Sequence, residues 1–405
     1  MRAGIRSLAL TLAAAGAASA DAQQQRPAPR PPKTINVPAD YRSVQQAIDS
    51  ARRGDTVLVA PGRYFENISF RGKDIVLTSH FALGGDTSFI SRTVLDGSRA
   101  ANPDTASVVI MDHELDSTAV LQGFTITGGT GTVWLDPKDK VYFREGGGVL
   151  CEFGSPVIRY NVIENNEASD TTPAKGGTKV VSAGGGGIRC GFAEPTIENN
   201  VIRGNRGRYG AGVVLFHTSA TVRNNLVVGN TGGEDFGGSG LWVVGPYSRR
   251  VPNVIEHNTV VRNVSASADT NPRAMRGKAG GMIYANSVSV VRNNIVWGNS
   301  QAMGGQVGFP PGMQPTMTHN LVQGGGVAGA GNIDADPLFA DTISYRLSPR
   351  SPAVDAGDPR SPSDPANGTR KAAAAAPALG AVRADLGAYG GARASGPGTR
   401  RSARN

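Results

Sequence analysis

The sequence is poor in charge and in long apolar runs, and its glycine content leaves little room for helices. Only 18% of the 405 residues are charged, which is too few for a generally disordered chain. Glycine accounts for 55 residues, and because glycine destabilises helix interiors, a mainly α-helical protein is excluded. Beyond the N-terminal segment no stretch is apolar enough to cross a membrane, which takes about 20 residues. The sequence therefore predicts no transmembrane segment.

Basic charge is also scarce in the body of the chain, although the whole chain carries a net charge of +9. Arg2 and Arg6 account for two of these charges and residues 370–405 for six, which leaves +1 for residues 7–369. Nucleic-acid binding needs a basic face with base-stacking groups. We therefore predict no nucleic-acid partner, and we expect residues 391–405 to form a basic, disordered tail.

The N-terminus has the order of segments that secretory signals share. Two arginines precede a short apolar run over residues 7–18, and small residues follow it as far as Ala22. This order predicts a signal peptide over residues 1–22, the alternative being an anchored N-terminal helix. The Gln- and Pro-rich residues 23–34 predict an extended linker. We expect a secreted protein, extracellular or periplasmic, and a monomer.

The strongest pattern is a repeat of two asparagines separated by four residues. The five full copies are Asn161 and Asn166, Asn200 and Asn205, Asn225 and Asn230, Asn258 and Asn263, and Asn294 and Asn299. A glycine-rich apolar run precedes each copy, and its last glycine lies thirteen residues before the first asparagine in every copy except that of Asn258. A unit of about 25 residues with three short β-like runs predicts one coil of a β-solenoid. The leucine pattern of a horseshoe repeat and the recurring hairpin turns of a propeller are both missing.

Strand alternation divides the glycine-rich runs into inward and outward residues. The first inward column contains Val149, Ile188, Val213, Leu241 and Met282, and the second contains Cys151, Cys190, Leu215, Val243 and Tyr284. The asparagines are expected to hydrogen-bond from coil to coil as a ladder. Ser43 with Gln46 forms a capping-box pattern, which predicts a helix within residues 43–53 that caps the first coil.

The repeat and both ends of the chain resemble the pectate-lyase-like proteins. The motifs that carry the resemblance are Gly146-Gly-Gly-Val-Leu-Cys151 followed by Asn-x4-Asn, the opening Ile35-Asn-Val-Pro-Ala-Asp-Tyr41, and the close Gly331-Asn-Ile-Asp-Ala-Asp-Pro-Leu-Phe339. The resemblance implies an all-β fold over residues 35–390, a right-handed parallel β-helix with a short N-terminal capping helix. Within it, residues 359–382 are expected to be a loose Pro- and Ala-rich insertion.

By the same resemblance, a polysaccharide is expected to bind along the outer face of the sheet that the glycine-rich strands form. Uronate β-elimination needs a cation against the substrate carboxylate and a base. Arg189 and Glu152 are outward residues on this face, and we predict them as catalytic residues. The predicted substrate-binding residues on the face and its rim are Trp242, Arg144, Arg206, Arg208 and Lys175. The long loops expected to stand along the rim are 130–145, 167–184 and 264–278.

Other chemistries of the family have less support in this sequence. Hydrolysis needs two facing carboxyl groups, and the outward positions include one, Glu152. The Asn-Thr-Asp, Asp-Asp and Gly-His-Gly signatures of polygalacturonases and the paired aspartates of pectin esterases are missing. The resemblance allows Ca²⁺ as a cofactor, but no clustered aspartates indicate where it would bind, and we predict no metal ligands.

Two functional hypotheses stay open. In the first, the chain is a secreted polysaccharide lyase working in the rimmed cleft. In the second, it is a non-catalytic carbohydrate-binding or cell-surface structural protein. The matching alternatives at single residues are that Arg189 is a solvated sheet residue and that Trp242 packs beneath the rim loops.

The two cysteines and two of the histidines sit at repeated positions. Two cysteines in an exported protein usually suggest a disulfide. Because Cys151 and Cys190 hold the same inward position in successive coils, a stacked thiol pair and a disulfide are both open. His257 and His319 each precede a ladder asparagine, so we predict a structural role for them in the turn.

Overall fold

The computed structural model describes residues 30–137, 140–246, 251–266, 279–285, 288–301, 304–310, 314–362, 366–367, 370–374, 378–381 and 383–392. The chain divides into two units, Met1–Pro31 and Pro32–Asn405. In the first unit Arg30 and Pro31 are described, and the Arg30 guanidinium donates a hydrogen bond to the Pro31 carbonyl at 3.2 Å. The predicted signal peptide lies outside the described residues, as does the predicted tail from residue 393 onward. All elements given below belong to the second unit.

The second unit winds in coils that contribute strands to three parallel sheets. Sheet A contains, in stacking order, Thr34–Val37, Thr56–Val59, Val76–Ser79, Val120–Gln122, Val157–Arg159, Thr196–Glu198, Thr221–Arg223, Asn253–Glu256, Ser289–Arg292 and Thr316–Thr318. Sheet B contains Gly62–Tyr64, Thr93–Asp96, Thr125–Thr127, Val162–Glu164, Val201–Arg203, Leu226–Val228, Thr259–Val261, Ile295–Trp297 and Leu321–Val322. Sheet C, formed by the glycine-rich strands, contains Ile68–Ser69, Val109–Met111, Val149–Glu152, Ile188–Gly191, Val213–Thr218, Leu241–Pro246, Ala279–Ala285 and Gly305–Gly308.

Shorter sheets and helices complete the described part of the chain. Sheet D contains Thr105–Ala106, Gly131–Leu135, Tyr142–Glu145 and Val180–Gly184, and sheet E contains Glu167–Ala168, Arg206–Tyr209, Thr231–Gly237, Val264–Ser265 and Ser300–Gln301. An antiparallel ribbon pairs Ala366–Asn367 with Arg370–Ala374 inside the predicted loose insertion. The helices are Val44–Ser50, Ser88–Arg92 and the 3₁₀ turn His80–Leu83. Across the described residues, no helix has the length and apolar character needed to cross a membrane.

The core follows the predicted inward columns. Val149 pairs with Ile188, which pairs with Val213, and the next inward residue of each strand continues the same register. All ten residues predicted to point inward from the glycine-rich strands are fully buried and belong to one hydrophobic cluster. Because identical positions stack, each coil buries the apolar edge of its neighbour. The prediction of a parallel β-helix is confirmed.

The asparagines form two continuous ladders. The Asn161 side-chain amide donates to Asn200 Oδ1 at 3.2 Å, and that of Asn200 donates to Asn225 Oδ1 at 3.0 Å. In the second ladder, the corresponding bond from Asn166 to Asn205 is 3.0 Å long. The residue before each ladder asparagine, not the asparagine itself, takes the left-handed backbone. This position holds Tyr160, Arg262, glycine, asparagine or histidine from coil to coil, while the ladder position keeps an amide that donates and accepts.

The N-terminal helix forms as its capping pattern predicts. Ser43 Oγ accepts a hydrogen bond from the Gln46 backbone N–H at 3.1 Å. Val44, Ala47 and Ile48 are fully buried against the first coils. The helix therefore covers one end of the hydrophobic core, and the prediction of a short capping helix is confirmed.

The C-terminal module packs both on the last coil and along its side. Ile333 pairs with Leu321 and so covers the final strand of sheet B. Further on, the Asn224 side-chain amide donates to the carbonyls of Ala388 and Gly390, at 3.2 and 2.8 Å. His257 is buried in the same contact, with its Nδ1 lying 3.2 Å from the Asp385 carbonyl. The left-handed turn residues thus provide the attachment points for this module, which is a structural role for His257.

Candidate functional site

The outer face of sheet C is partly covered, where we expected an open face. The predicted rim loops 130–145 and 167–184 contain the strands of sheet D and one strand of sheet E, and side chains from this side reach over the face. As a result Leu150, Arg189 and Val214 are buried although they point outward. Residues 267–278 of the third predicted loop lie outside the described residues. Arg189 is therefore not a solvated sheet residue, since only 1% of its surface is exposed.

Arg189 lies between two buried carboxylates, Glu145 and Glu152, and we call these three residues the carboxylate–arginine cluster. Arg189 Nε is 2.8 Å from Glu145 Oε2, and Arg189 Nη1 contacts Glu152 Oε1. A Cβ atom at Gly191 would overlap both the guanidinium and Glu152. A glycine on this strand therefore makes room for the ion pair. Because two carboxylates share one guanidinium, the cluster keeps an excess negative charge.

The two carboxylates of the cluster are satisfied differently. Glu145 accepts hydrogen bonds from the Trp134 indole N–H and from the Tyr209 hydroxyl. Burial, and then the charge of Glu145, raise the pKa of Tyr209 well above its usual value, so the hydroxyl remains a donor. Neither oxygen of Glu152 accepts an aligned hydrogen bond from any residue that the structure describes. Its described partner is the Arg189 guanidinium, which it contacts as an ion pair.

Aromatic rings enclose the guanidinium. The Trp134 ring centre lies 4.3 Å from Arg189 Cζ and that of Phe216 lies 5.4 Å from it. Such contacts attract a cation to the ring face, and here they also exclude water from the ion pair. The buried guanidinium is therefore inaccessible to a ligand in this arrangement.

A pocket of about 720 Å³ opens beside the cluster, between sheet C and the strand Gly131–Leu135. Its described lining residues are Thr105, Ile110, Asp112, His113, Glu114, Thr132, Trp134, Leu150, Glu152 and Phe153. Met111 pairs with Cys151, so Asp112 and Glu152 follow on neighbouring strands and project from the same outward column. His113 Nδ1 lies 2.7 Å from Asp112 Oδ1. The pocket thus combines carboxylates, hydroxyls and two aromatic rings.

Exposed rings continue from the pocket along the corner between sheets C and A. Phe153 is 44% exposed, and its ring stacks on Phe192 with centres 5.6 Å apart. Phe192 stacks in turn on His217 at 5.4 Å. All three residues have left-handed backbones. A second hollow of about 340 Å³, lined by Phe153, Phe192, Glu114 and Glu194 among others, lies beside this stack.

The structure brings the two predicted catalytic residues together but not the predicted binding residues. Arg189 and Glu152 are in contact, whereas the described pocket lining includes none of the five residues predicted to bind substrate. Arg144 is buried, and its Nη2 lies 3.1 Å from Asp104 Oδ1. Lys175 is exposed on the same side, and its backbone N–H donates to Asp104 Oδ2 at 2.8 Å. That Arg189 and Glu152 take part in catalysis stays a prediction.

The remaining predicted binding residues also have protein partners. Arg208 donates two hydrogen bonds to the Asp235 carboxylate, at 2.8 and 2.6 Å. Arg206 contacts Glu234, and its Nε lies 3.3 Å from Glu167 Oε1. The half-buried Trp242 packs with its ring centre 5.1 Å from that of Tyr209 and parallel to Phe216 at 6.4 Å. These contacts correspond to the packing alternative for Trp242.

Sequence reasoning missed Asp112, Trp134 and the pocket between them. The strand Val109–Met111 pairs in register with Val149–Cys151 but lacks the preceding glycine run. The step from Val108 to Phe124, which is in register with Asn161, is also three residues longer than the usual thirteen. The available signal was the run Val109-Ile-Met-Asp112, since it repeats the three apolar residues and the acid of Val149-Leu-Cys-Glu152.

The two cysteines lie in the core, away from any arrangement of metal ligands among the described residues. Cys151 and Cys190 are free thiols that face each other in register inside the core. A hydrogen bond with Cys190 and burial raise the pKa of the Cys151 thiol well above its usual value. Within the described ranges no group of three or more His, Cys, Asp or Glu side chains is arranged to hold a metal ion. A calcium cofactor stays an expectation without assigned ligands.

Comparison with known proteins agrees with the observed coils. A family model described as right handed beta helix region matches residues 84–310. Among solved structures, the deglycosylated pectin methylesterase from Aspergillus niger is 15% identical over 78% of this chain and 88% of its own, with a TM-score of 0.39. The pectin methylesterase from carrot is 11% identical over 80% and 88%, with a TM-score of 0.37. Pectate lyase Pel9A is 14% identical over 86% and 90%, with a TM-score of 0.36. No curated protein matches.

Proposed function

This chain belongs to the right-handed β-helix family, which confirms the predicted handedness. From that premise we propose that it binds a polysaccharide in the pocket beside Glu152. The observation that carries the proposal is a buried carboxylate, Glu152, that lines a concave pocket and accepts no aligned hydrogen bond from the described residues. Sugar hydroxyls and amines are donors of the kind that such an acceptor needs. Trp134 and Phe153 supply flat apolar faces on which a sugar ring can stack.

The ring stack beside the pocket supports a ligand longer than one sugar. Phe153, Phe192 and His217 belong to successive coils, and consecutive coils lie about 4.8 Å apart. An extended ligand lying along the axis would pass from the main pocket over Phe153 to the second hollow. A polymer can contact all of these surfaces at once, which gives it a higher overall affinity than any single contact provides.

The direct test is the affinity of Phe153→Ala for polysaccharides, measured by affinity electrophoresis across a broad panel. We expect the wild-type protein to be retarded by at least one polysaccharide and Phe153→Ala to bind it about tenfold more weakly, as loss of one stacking ring implies. The matched control is Phe65→Ala, because Phe65 has nearly the same exposure but follows sheet B in another corner of the coil. Retardation by no polysaccharide, or equal loss in both variants, contradicts the proposal.

A second candidate function is cleavage of the bound polysaccharide. The specific observation that favours it is the proximity of Asp112 and Glu152 in one outward column of the pocket. Two carboxyl groups in one site can act as acid and base in glycosidic cleavage. In β-elimination, Arg189 would have to neutralise a substrate carboxylate, whereas its charge already faces Glu145 and Glu152. The geometry therefore favours the two carboxylates as the reacting groups.

Product analysis distinguishes these chemistries. New reducing ends without ultraviolet absorbance indicate hydrolysis, and new reducing ends with the absorbance of an unsaturated uronate indicate β-elimination. We expect Asp112→Asn to abolish either activity while polysaccharide binding is retained, since the carboxyl group is then needed for proton transfer and the stacking rings are unchanged. Binding without any product leaves the first proposal intact and contradicts the second.

We also propose that the protein is exported, with residues 1–22 removed. The supporting observation is the charged, apolar and small-residue order of that segment. Intact-mass measurement of the protein recovered from outside the cytoplasm tests this proposal. We expect a mass that begins near residue 23, and the full-length mass in the cytoplasmic fraction would contradict export.

A further inference from the structure

The pocket beside Glu152 is lined by charge of one sign. Asp112, Glu114 and Glu152 contribute three carboxylates, and the described lining residues include no lysine or arginine. His113 is the one other titratable residue among them, and it already lies 2.7 Å from Asp112. Even a protonated His113 would leave this wall negative.

The buried arginine does not reverse that sign. Arg189 is in contact with both Glu145 and Glu152, so the three residues together carry one excess negative charge. The Trp134 ring lies over the guanidinium and separates it from solvent. Charges act over longer distances where water is excluded. A ligand in the pocket therefore meets the summed field of Arg189 and the carboxylates, in which the carboxylates outnumber the single guanidinium.

From this charge distribution we infer that the bound polysaccharide carries free amino groups. The inference rests on the proposed function and adds the chemical class of the ligand. An ammonium group donates up to three hydrogen bonds and carries a charge opposite to that of the carboxylates, which outnumber the cationic side chains in the described lining. The faces of Trp134 and Phe153 also attract a cation. A uronate residue, which the family resemblance implied, would instead bring a fourth carboxylate into the pocket.

The test compares three oligosaccharides of equal length: a glucosamine oligomer, its fully N-acetylated counterpart and a galacturonate oligomer. Titration calorimetry of the full-length protein at about pH 6, where ordinary carboxyl groups are ionised, gives the three dissociation constants. We expect the glucosamine oligomer to bind at least tenfold more tightly than the N-acetylated one, and the galacturonate oligomer to bind most weakly. Raising the salt concentration should reduce the first difference, because screening weakens the attraction.

Variants locate the effect in the pocket. Asp112→Asn and Glu152→Gln should each reduce the preference for the glucosamine oligomer about fivefold while retaining affinity for the N-acetylated oligomer. Asp112 is partly exposed, so its variant keeps the test valid if Glu152→Gln fails to fold. The control is Glu164→Gln, which removes a carboxylate from the outer face of sheet B.

The outcomes separate the two proposals. Binding of none of the three oligomers contradicts the proposed function together with the inference. Equal affinity for the acetylated and free amines, tighter binding of galacturonate, or a preference unchanged in Asp112→Asn overturns the charge inference and leaves polysaccharide binding in place.

Discussion

Two regions of this molecule bury polar side chains and meet their hydrogen-bonding needs in opposite ways. In the asparagine ladders each amide donates and accepts within the stack, and the hydrogen bonds of the Asn225 side chain lie between 2.9 and 3.0 Å. In the carboxylate–arginine cluster, two carboxylates share one guanidinium, and Glu152 accepts no aligned hydrogen bond from the described residues. The neutral, saturated ladder faces the core, whereas the charged, unsaturated cluster borders a pocket. The hydrogen bonds among the ladder amides stabilise the fold, whereas the Glu152 carboxylate beside the pocket is what a ligand can contact.

The largest effect is expected from removing the cation of the cluster. Arg189→Met leaves Glu145 and Glu152 buried without compensation, so we expect the free energy of unfolding to fall by about 3–5 kcal/mol. Urea denaturation followed by circular dichroism measures this loss. Arg203→Met is the control: Arg203 pairs with the partly exposed Glu164 on sheet B, and its loss should cost about 1 kcal/mol or less. Similar losses in the two variants would show that Arg189 does not compensate the buried charge of Glu145 and Glu152.

Interrupting a ladder is expected to have the next largest effect. Asn225→Ala removes the acceptor for Asn200 and the donor to the Ile197 carbonyl, all of them buried. Leaving these groups unpaired should lower the free energy of unfolding by about 3 kcal/mol. Asn332→Ala, at the partly exposed end of the same ladder, should cost no more than about 1 kcal/mol. A larger loss at the end than in the middle would contradict the saturation argument.

Filling the space beside the cluster is expected to have a moderate effect. Gly191→Ala places a methyl group against the Arg189 guanidinium and Glu152, and overpacking of this kind costs about 2 kcal/mol. Gly84→Ala is the matched control, because beyond its chain neighbours no atom lies within 4 Å of the place that its methyl group would take. Its effect should stay within about 0.5 kcal/mol. Thermal denaturation of both variants checks the difference, and equal melting temperatures would mean that the ion pair shifts without strain.

The ladders were predictable because they repeat, and the cluster was not because it does not. Asn161, Asn200 and Asn225 recur at a fixed distance from a glycine run, so the coil register follows from the sequence. Arg189 looks like any outward residue, and nothing local marks Trp134 or Glu145 as its cover. These residues meet only because strands of sheet D fold over sheet C. Burial on the outside of a solenoid depends on such non-periodic segments, whose spacing varies.

His257 and Asp385 sharpen the comparison, because both are buried beside a ladder and burial favours the uncharged form of each side chain. Burial lowers the pKa of His257 to about 4 and raises that of Asp385 to about 6. The histidine therefore contributes stability above about pH 6.5 that is lost as the pH falls through 4. The aspartic acid contributes stability below about pH 4 that is lost as the pH rises through 6. The two dependences oppose each other in the wild-type protein.

Removing either group should reveal the other. In His257→Gln the free energy of unfolding should fall by about 1–2 kcal/mol as the pH rises from 4 to 6, because Asp385 ionises in the unfolded chain while burial keeps it protonated in the folded one. In Asp385→Asn it should rise by a similar amount over the same interval. Denaturation curves at several pH values measure both slopes. If the stability of both variants is as independent of pH as that of the wild-type protein, burial does not shift these two pKa values.

The most direct test of the central claim is a crystal structure of the full-length protein with a bound oligosaccharide. The account predicts a sugar ring against Trp134 or Phe153, with a hydroxyl or amino group within about 3 Å of a Glu152 oxygen. A sugar that instead lies along Trp242 and Arg208, with the Glu152 pocket filled by water alone, would contradict it.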